Sequence, residues 1–119
     1  MTHKTEIPDH GLGNLLELDG EIVSFENGMW AKFEARRIPP DAMRPHGIRY
    51  SLTLHDPDGN RVFGIDNAHL VRSTGGPAGK RHRSADRLHR GGTVQPYRFR
   101  DAEKLLLDFW AEVEKQIGG

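Results

Sequence analysis

The sequence contains no cysteine and no long apolar run. Without cysteine the chain cannot form disulfides or thiolate metal sites, and it cannot use a thiol nucleophile. No apolar stretch approaches the ~18 residues that a membrane-spanning helix needs. The N-terminal residues also lack the apolar core of a signal peptide. We therefore expect a soluble, cytoplasmic protein that does not associate with membranes.

Apolar residues are scarce as well. Only 35% of the 119 residues are hydrophobic, so the core is modest, and a partner or a second copy of the chain could cover part of the surface. The length predicts one domain. We predict a disordered N-terminus over residues 1–12 and a single α+β domain over residues 13–119.

The formal net charge is zero, but the charges are segregated. Residues 64–100 contain eight lysines and arginines against two aspartates, which leaves a charge of +6, and they also hold three of the seven histidines. Residues 1–34 and 101–119 are acidic. This pattern is typical of a protein that binds a polyanion at one patch. Internal pairing of the acidic and basic segments is the alternative, and the charges alone leave it open.

Alternating apolar and polar residues predict an antiparallel sheet. The clearest strand covers residues 48–55, and the turn sequence Asp56-Pro57-Asp58-Gly59 returns the chain into a second strand over residues 61–66. A further strand is predicted over residues 29–38. Its Trp30 lies on the face opposite the apolar one, and we interpret this residue as a core or packing-edge residue rather than a platform for stacking bases.

Weaker patterns predict the remaining elements. Residues 15–25 alternate loosely around Asp19-Gly20, which predicts a hairpin. Residues 93–99 predict a last strand, with Pro96 indicating a sheet edge. Between the strands, residues 67–92 predict a long basic loop, a kind of segment that is usually functional or disordered.

Apolar residues spaced three and four apart after Asp101 predict a C-terminal helix with that aspartate as its N-cap. The predicted fold is therefore an α+β domain. A small antiparallel sheet of about five strands is packed by one amphipathic helix, and the long basic loop precedes the last strand.

Residues 64–100, which we call the basic segment, hold the groups that RNA cleavage without a metal requires. These are a base for the 2′-hydroxyl, an acid for the leaving oxygen and cations for the phosphate. The candidate acid, base and orienting residues are Asp66, His69, His82, His89 and Tyr97. The candidate nucleic-acid-binding residues are Lys80, Arg81, Arg83, Arg87, Arg90 and Arg98.

Simpler interpretations exist for the same residues. Asp66 could form only a turn, and the histidines and arginines could be solvated. A metal site could draw on Asp66, His69, His82, Asp86 and His89, but their spacing matches no standard ligand motif. We predict no metal and no cofactor. A non-catalytic module that binds nucleic acid or protein remains the alternative to a ribonuclease.

Three sequence blocks resemble the TumE family of toxin–antitoxin toxins. They are HGIRYSLTLHDPDGNRVFGIDNAH, DRLHR and PYRFRDAEKLLLDFWAEVEK, and the resemblance covers roughly residues 29–117. It implies a small toxin of a bacterial or archaeal type II toxin–antitoxin system, encoded beside a DNA-binding antitoxin and acting on RNA. Asp66, Asn67 and His89 match the family pattern. Relatives tend to have a histidine where this chain has Arg87.

Overall fold

The computed structural model describes residues 10–68 and 85–118. Their elements, in chain order, are α1 His10–Glu17, β1 Ile22–Ser24, β2 Trp30–Arg37, β3 Ile48–His55, β4 Arg61–Asp66, β5 Arg87–Arg90, β6 Thr93–Pro96 and α2 Ala102–Gly118. The strands form one antiparallel six-stranded sheet in which sequence neighbours pair. The predicted α+β class is confirmed, with one strand more than the five expected.

The two faces of the sheet differ in what covers them. On β3, Tyr50, Leu52 and Leu54 are fully buried, and the residues between them are half-buried. Both helices join the core on the Leu52 side, where Phe109 of α2 lies 5.4 Å from Phe33 between ring centroids. We call this the helix face. We call the opposite side, which carries Ser51 and Thr53, the open face, because no helix within residues 10–68 and 85–118 packs on it.

The hairpin predicted over residues 15–25 is half wrong. Only its second half is a strand, β1, whereas the first half belongs to helix α1. Leu12, Leu15 and Leu16 have helical spacing and pack into the core. A Cβ at Gly11 would overlap the backbone of Glu103, so this glycine lets α1 approach the first turn of α2. Helix α1 begins at His10, inside the segment predicted to be disordered.

Part of the predicted basic loop is also a strand. β5 lies within residues 67–92 and turns through Gly91, whose φ of 59° suits glycine, into β6. β6 is the edge strand, as Pro96 predicts. The predicted N-cap of α2 is confirmed, because Asp101 Oδ1 accepts the Lys104 N–H at 2.8 Å.

Candidate functional site

The structure describes the basic segment on both sides of residues 69–84, and these two described parts pair with each other in the sheet. Asp66, at the end of β4, is the register partner of Arg87, at the start of β5. The loop before β3 ties both ends together. Arg44 Nε donates to the Asn67 carbonyl oxygen at 2.8 Å, and the Ala85 N–H donates to the carbonyl oxygen of Met43 at 2.9 Å. Asn67 and Ala85 are therefore both bonded to the same loop, the one that precedes β3.

Asn67 holds this junction in position. Its side chain is fully buried; Oδ1 accepts the Tyr50 N–H at 2.9 Å, and Nδ2 donates to the Ile48 carbonyl oxygen at 2.7 Å. Its own N–H donates to the Tyr50 carbonyl oxygen at 3.1 Å. The amide thus continues the β3–β4 ladder past Asp66, because it satisfies backbone groups that would otherwise be buried without partners.

A buried carboxylate and a histidine lie in contact on the open face. Asp66 Oδ2 is 3.0 Å from His89 Nε2, and Asp66 is only 3% exposed. Gly64 is the register partner of His89, so Asp66 lies diagonally across from it on the neighbouring strand. A buried carboxylate bonded to one imidazole nitrogen fixes the orientation of the ring and leaves the other nitrogen for chemistry.

The second nitrogen of His89 faces Arg61. Arg61 Nη2 is 3.3 Å from His89 Nδ1. A guanidinium group can only donate hydrogen bonds, so Nδ1 must be the accepting nitrogen, and Nε2 carries the proton that is donated to Asp66. The arrangement therefore combines an oriented imidazole, a buried carboxyl group and a guanidinium group.

A β-bulge brings Arg61 to this face. In regular alternation Arg61 would share the helix face with Phe63 and Ile65. The register shifts between Leu54 and His55, so that His55 pairs with Arg61. At this point β4 has one residue more than β3, and the extra residue turns the Arg61 side chain onto the open face. Bulges commonly redirect a side chain in this way beside functional sites.

Gly64 provides the space that these side chains occupy. A Cβ at this position would lie 3.4 Å from Arg61 Cδ and 3.3 Å from both Thr53 Cγ2 and the Leu52 carbonyl oxygen. With no side chain between Arg61 and Asp66 on this face of β4, the His89 ring can reach across the strand.

A second histidine–aspartate pair lies at the junction. His46 Nε2 is 3.3 Å from Oδ2 of the buried Asp86, and the Tyr50 hydroxyl donates to the same oxygen at 2.5 Å. Burial and the neighbouring carboxylate raise the pKa of Tyr50 above its usual value, so the hydroxyl keeps its proton. His46 Nδ1 accepts the Ile48 N–H at 3.3 Å, and its ring packs on Phe99. Both nitrogens of His46 are therefore bonded to the scaffold.

The family of the chain follows from a comparison with family models. A model described as Toxin TumE matches residues 8–117. The chain belongs to the TumE toxin family. No curated protein and no solved structure matches it. Membership of a toxin family implies, in general, an antitoxin partner.

Two of the predicted nucleic-acid-binding arginines of this TumE-family chain, Arg87 and Arg90, lie on opposite faces of the sheet. Arg90 lies on the helix face, where Nη2 donates to Glu112 Oε1 at 3.0 Å and the guanidinium lies 5.3 Å from the centroid of the Phe63 ring. Arg87 lies in register with Asp66 on the open face, and its Nη1 donates to the Asp86 carbonyl oxygen at 2.9 Å. Arg98 is exposed beyond β6.

Tyr97 is a predicted acid whose hydroxyl contacts helix α2. It donates to Asp108 Oδ2 at 2.6 Å, and Lys104 Nζ lies 2.6 Å from the same oxygen. Burial, together with this carboxylate, raises the pKa of Tyr97 above its usual value. The structure does not bring this hydroxyl together with His89, and its role as an acid stays a prediction.

The remaining predicted site residues lie outside the described part of the chain. They are His69, Lys80, Arg81, His82 and Arg83. Among the described residues, no group of three or more histidines and carboxylates is arranged to hold a metal ion. None of the described helices is long and apolar enough to cross a membrane.

Sequence reasoning missed Arg61 and His46. By strand alternation Arg61 should lie on the same face as the buried Phe63 and Ile65. Only the bulge places it on the open face. His46 lies in a polar loop with no periodic signal, and it reaches Asp86 through a long-range contact. The basic, glycine-rich surroundings of Asp66 and His89 were the signal that made these two residues candidates.

Proposed function

We propose that this TumE-family chain is the RNA-directed toxin of a type II toxin–antitoxin system, neutralised by a DNA-binding antitoxin, and that it cleaves RNA without a metal. The observation that supports the proposal is the Asp66–His89–Arg61 arrangement on the open face. It supplies an oriented imidazole and a cation in contact with each other, and both Asp66 and His89 belong to residues 64–100, which carry a charge of +6.

The proposed reaction begins when a phosphate group of the RNA draws the Arg61 guanidinium away from His89. The freed Nδ1 takes the proton of the adjacent 2′-hydroxyl, and Asp66 stabilises the imidazolium that forms. The 2′-oxygen attacks phosphorus while the bond to the 5′-oxygen breaks, and an acid protonates that leaving oxygen. Arg61 compensates the charge that develops on the phosphate. The products are a 2′,3′-cyclic phosphate and a 5′-hydroxyl.

The basic segment has a role in holding the substrate. Lysine and arginine neutralise phosphates whatever the base sequence, and the release of counterions makes such binding sensitive to salt. Lys80, Arg81 and Arg83 lie between Asp66 and His89 in the sequence, and His69 follows Asp66 closely enough to be the candidate acid. These assignments rest on the sequence.

Induced expression in a bacterial host tests the proposal. We expect wild-type protein to arrest growth and fragment RNA, and we expect His89→Ala to be harmless at equal protein level. The control is His46→Gln, because His46 is also paired with a buried aspartate while its Nδ1 is bonded to the backbone. Equal toxicity of His89→Ala and wild type would remove His89 from the mechanism.

A non-catalytic RNA-binding module is the second candidate. The specific observation in its favour is the Arg61 contact, which leaves His89 with no unbonded nitrogen in this arrangement. This candidate predicts salt-sensitive RNA binding with no cleavage products, and it predicts that arginine substitutions matter more than His89 substitutions.

A further inference from the structure

Two aromatic rings are stacked on the open face at a distance from the core. The rings of Trp30 and His55 lie 3.9 Å apart between centroids with an interplanar angle of 7°. His55 is fixed by contacts of Nε2 with Thr53 Oγ1 at 2.9 Å and of Nδ1 with the Gly59 carbonyl oxygen at 3.3 Å. The stacked pair is therefore held in one orientation.

Trp30 differs from the other tryptophan in its surroundings. Trp110 packs against the hydrophobic core and contacts Phe25, Phe33 and Phe109, whereas Trp30 is not among the residues packed on that core. Its register partner on β1 is the small Ser24. A half-buried tryptophan on a polar sheet face contributes little to the core, and this calls for another explanation of its position.

The stacked pair is in line with the candidate catalytic residues. Trp30 pairs with His55, His55 pairs with Arg61 through the bulge, and Arg61 contacts His89. Adjacent strands lie ~4.8 Å apart, and β3 lies between β2 and β4. Trp30 on β2 is therefore about 10 Å from the strand that carries Arg61. A nucleotide whose phosphate lies at Arg61 can therefore place its own base, or that of its neighbour, on the rings.

We propose that Trp30 and His55 form a base-stacking subsite for single-stranded RNA, which positions the phosphate at Arg61 and His89; the inference rests on the proposed function. Stacking on aromatic side chains is how sheet surfaces bind unpaired bases, and it tolerates any base because each has a π-face. Bases in a duplex are already stacked and paired, so the subsite selects single strands.

Binding of an uncleavable oligonucleotide tests the subsite separately from catalysis. The probe is a fluorescently labelled single-stranded 2′-O-methyl RNA, which has no 2′-hydroxyl proton to remove, and binding to the full chain is measured by anisotropy. We expect Trp30→Leu to weaken binding about 10-fold, in line with the measured worth of one stacked base. Trp30→Phe keeps an aromatic face and should stay within about 3-fold of wild type.

Two controls accompany these variants. Trp110→Phe makes the same change on the helix face and should leave binding unchanged, and circular dichroism establishes that each variant is folded. Cleavage of ordinary RNA by Trp30→Leu should show a raised KM with little change in kcat, because the subsite holds substrate and does not take part in bond breaking.

The outcomes separate the two proposals. Trp30-dependent binding by a protein that does not cleave RNA supports the subsite and overturns the catalytic step. Cleavage by wild type combined with normal binding by folded Trp30→Leu overturns the subsite alone. Equal binding of single-stranded and duplex probes, or no binding of the single strand by wild type, also overturns it.

Discussion

At the scale of single residues, His89 and His46 differ in what bonds their second nitrogen. Each imidazole places Nε2 against a buried aspartate. Nδ1 of His46 accepts a backbone N–H of β3, whereas Nδ1 of His89 accepts a bond from the exposed guanidinium group of Arg61. For this reason the proposed mechanism gives the catalytic role to His89 and a structural role to His46.

Asp66→Asn tests the role of the carboxylate. The amide can keep the size of the side chain, but it has no charge to stabilise the imidazolium, so RNA cleavage should fall on the order of 10²- to 10⁴-fold. The measurement is the initial rate of cleavage by purified protein. Asp58→Asn, in the exposed turn after β3, is the matched control and should cleave at the wild-type rate. An Asp66→Asn rate within a factor of three of wild type would contradict the role.

Gly64→Ala tests the space beneath Arg61. The added Cβ would press on Arg61 Cδ, Thr53 Cγ2 and the Leu52 carbonyl oxygen. We expect cleavage to fall roughly 10-fold because Arg61 is displaced, which corresponds to about 1.4 kcal/mol. Gly92→Ala is the control, since a Cβ there meets nothing within 4 Å. If both variants cleave at the same rate, the close packing at Gly64 does not position Arg61.

At the scale of elements, the β3–β4 ladder depends on Asn67. Asn67→Ala leaves a buried Tyr50 N–H and the Ile48 carbonyl without their side-chain partners, so the free energy of unfolding should fall by about 2–4 kcal/mol. Urea denaturation measures the loss. Asn60→Ala, in the exposed turn, should change it by less than about 0.5 kcal/mol. A loss as small as that for Asn67→Ala would contradict the ladder role.

Helix α2 is joined to β5 by Glu112 and Arg90. Burial alone would raise the pKa of Glu112, but hydrogen bonds from Arg90 and Gln116, with the charges of Arg90 and Lys115, hold it below 4.5. Because the pKa is lower in the folded state, the ionised carboxylate stabilises the fold above about pH 4.5. This contribution is lost as the pH falls through the folded-state pKa.

Glu112→Gln makes that dependence measurable. At pH 7 the variant should be less stable than wild type by about 1 kcal/mol, a modest value because Arg90 is half-exposed. Urea unfolding repeated at decreasing pH should show the difference shrinking below about pH 4.5. A difference that stays constant, or that widens in acid, would contradict the assigned sign.

At the scale of the whole molecule, the apolar core and the candidate site lie on opposite faces of the sheet. Its helix face buries the apolar side chains and carries the Arg90–Glu112 pair, and its open face carries Trp30, Arg61, Asp66 and His89. Asp66 and Arg87, which both belong to residues 64–100, are register partners where β4 and β5 meet.

The sequence predicts the parts of this fold that rest on local patterns. Strict alternation predicts β3, and helical spacing after Asp101 predicts α2. β5 was missed because it is short and Leu88 is its one apolar residue, so it has no alternation to detect. Arg61 was missed because a bulge depends on strand pairing and leaves no trace in periodicity. The Asp66–His89 contact follows from the meeting of β4 and β5, which sequence could suggest only as a hypothesis.

The most direct test of the central claim is the chemistry of the RNA ends. Purified full-length protein is incubated with a single-stranded RNA in excess EDTA, and the termini are analysed by mass spectrometry. We predict 2′,3′-cyclic phosphate and 5′-hydroxyl ends from wild type and none from His89→Gln, in which an amide N–H can still bond to Asp66 but no base remains. Loss of cleavage in EDTA, or cleavage by His89→Gln at the wild-type rate, would contradict a metal-independent mechanism based on His89.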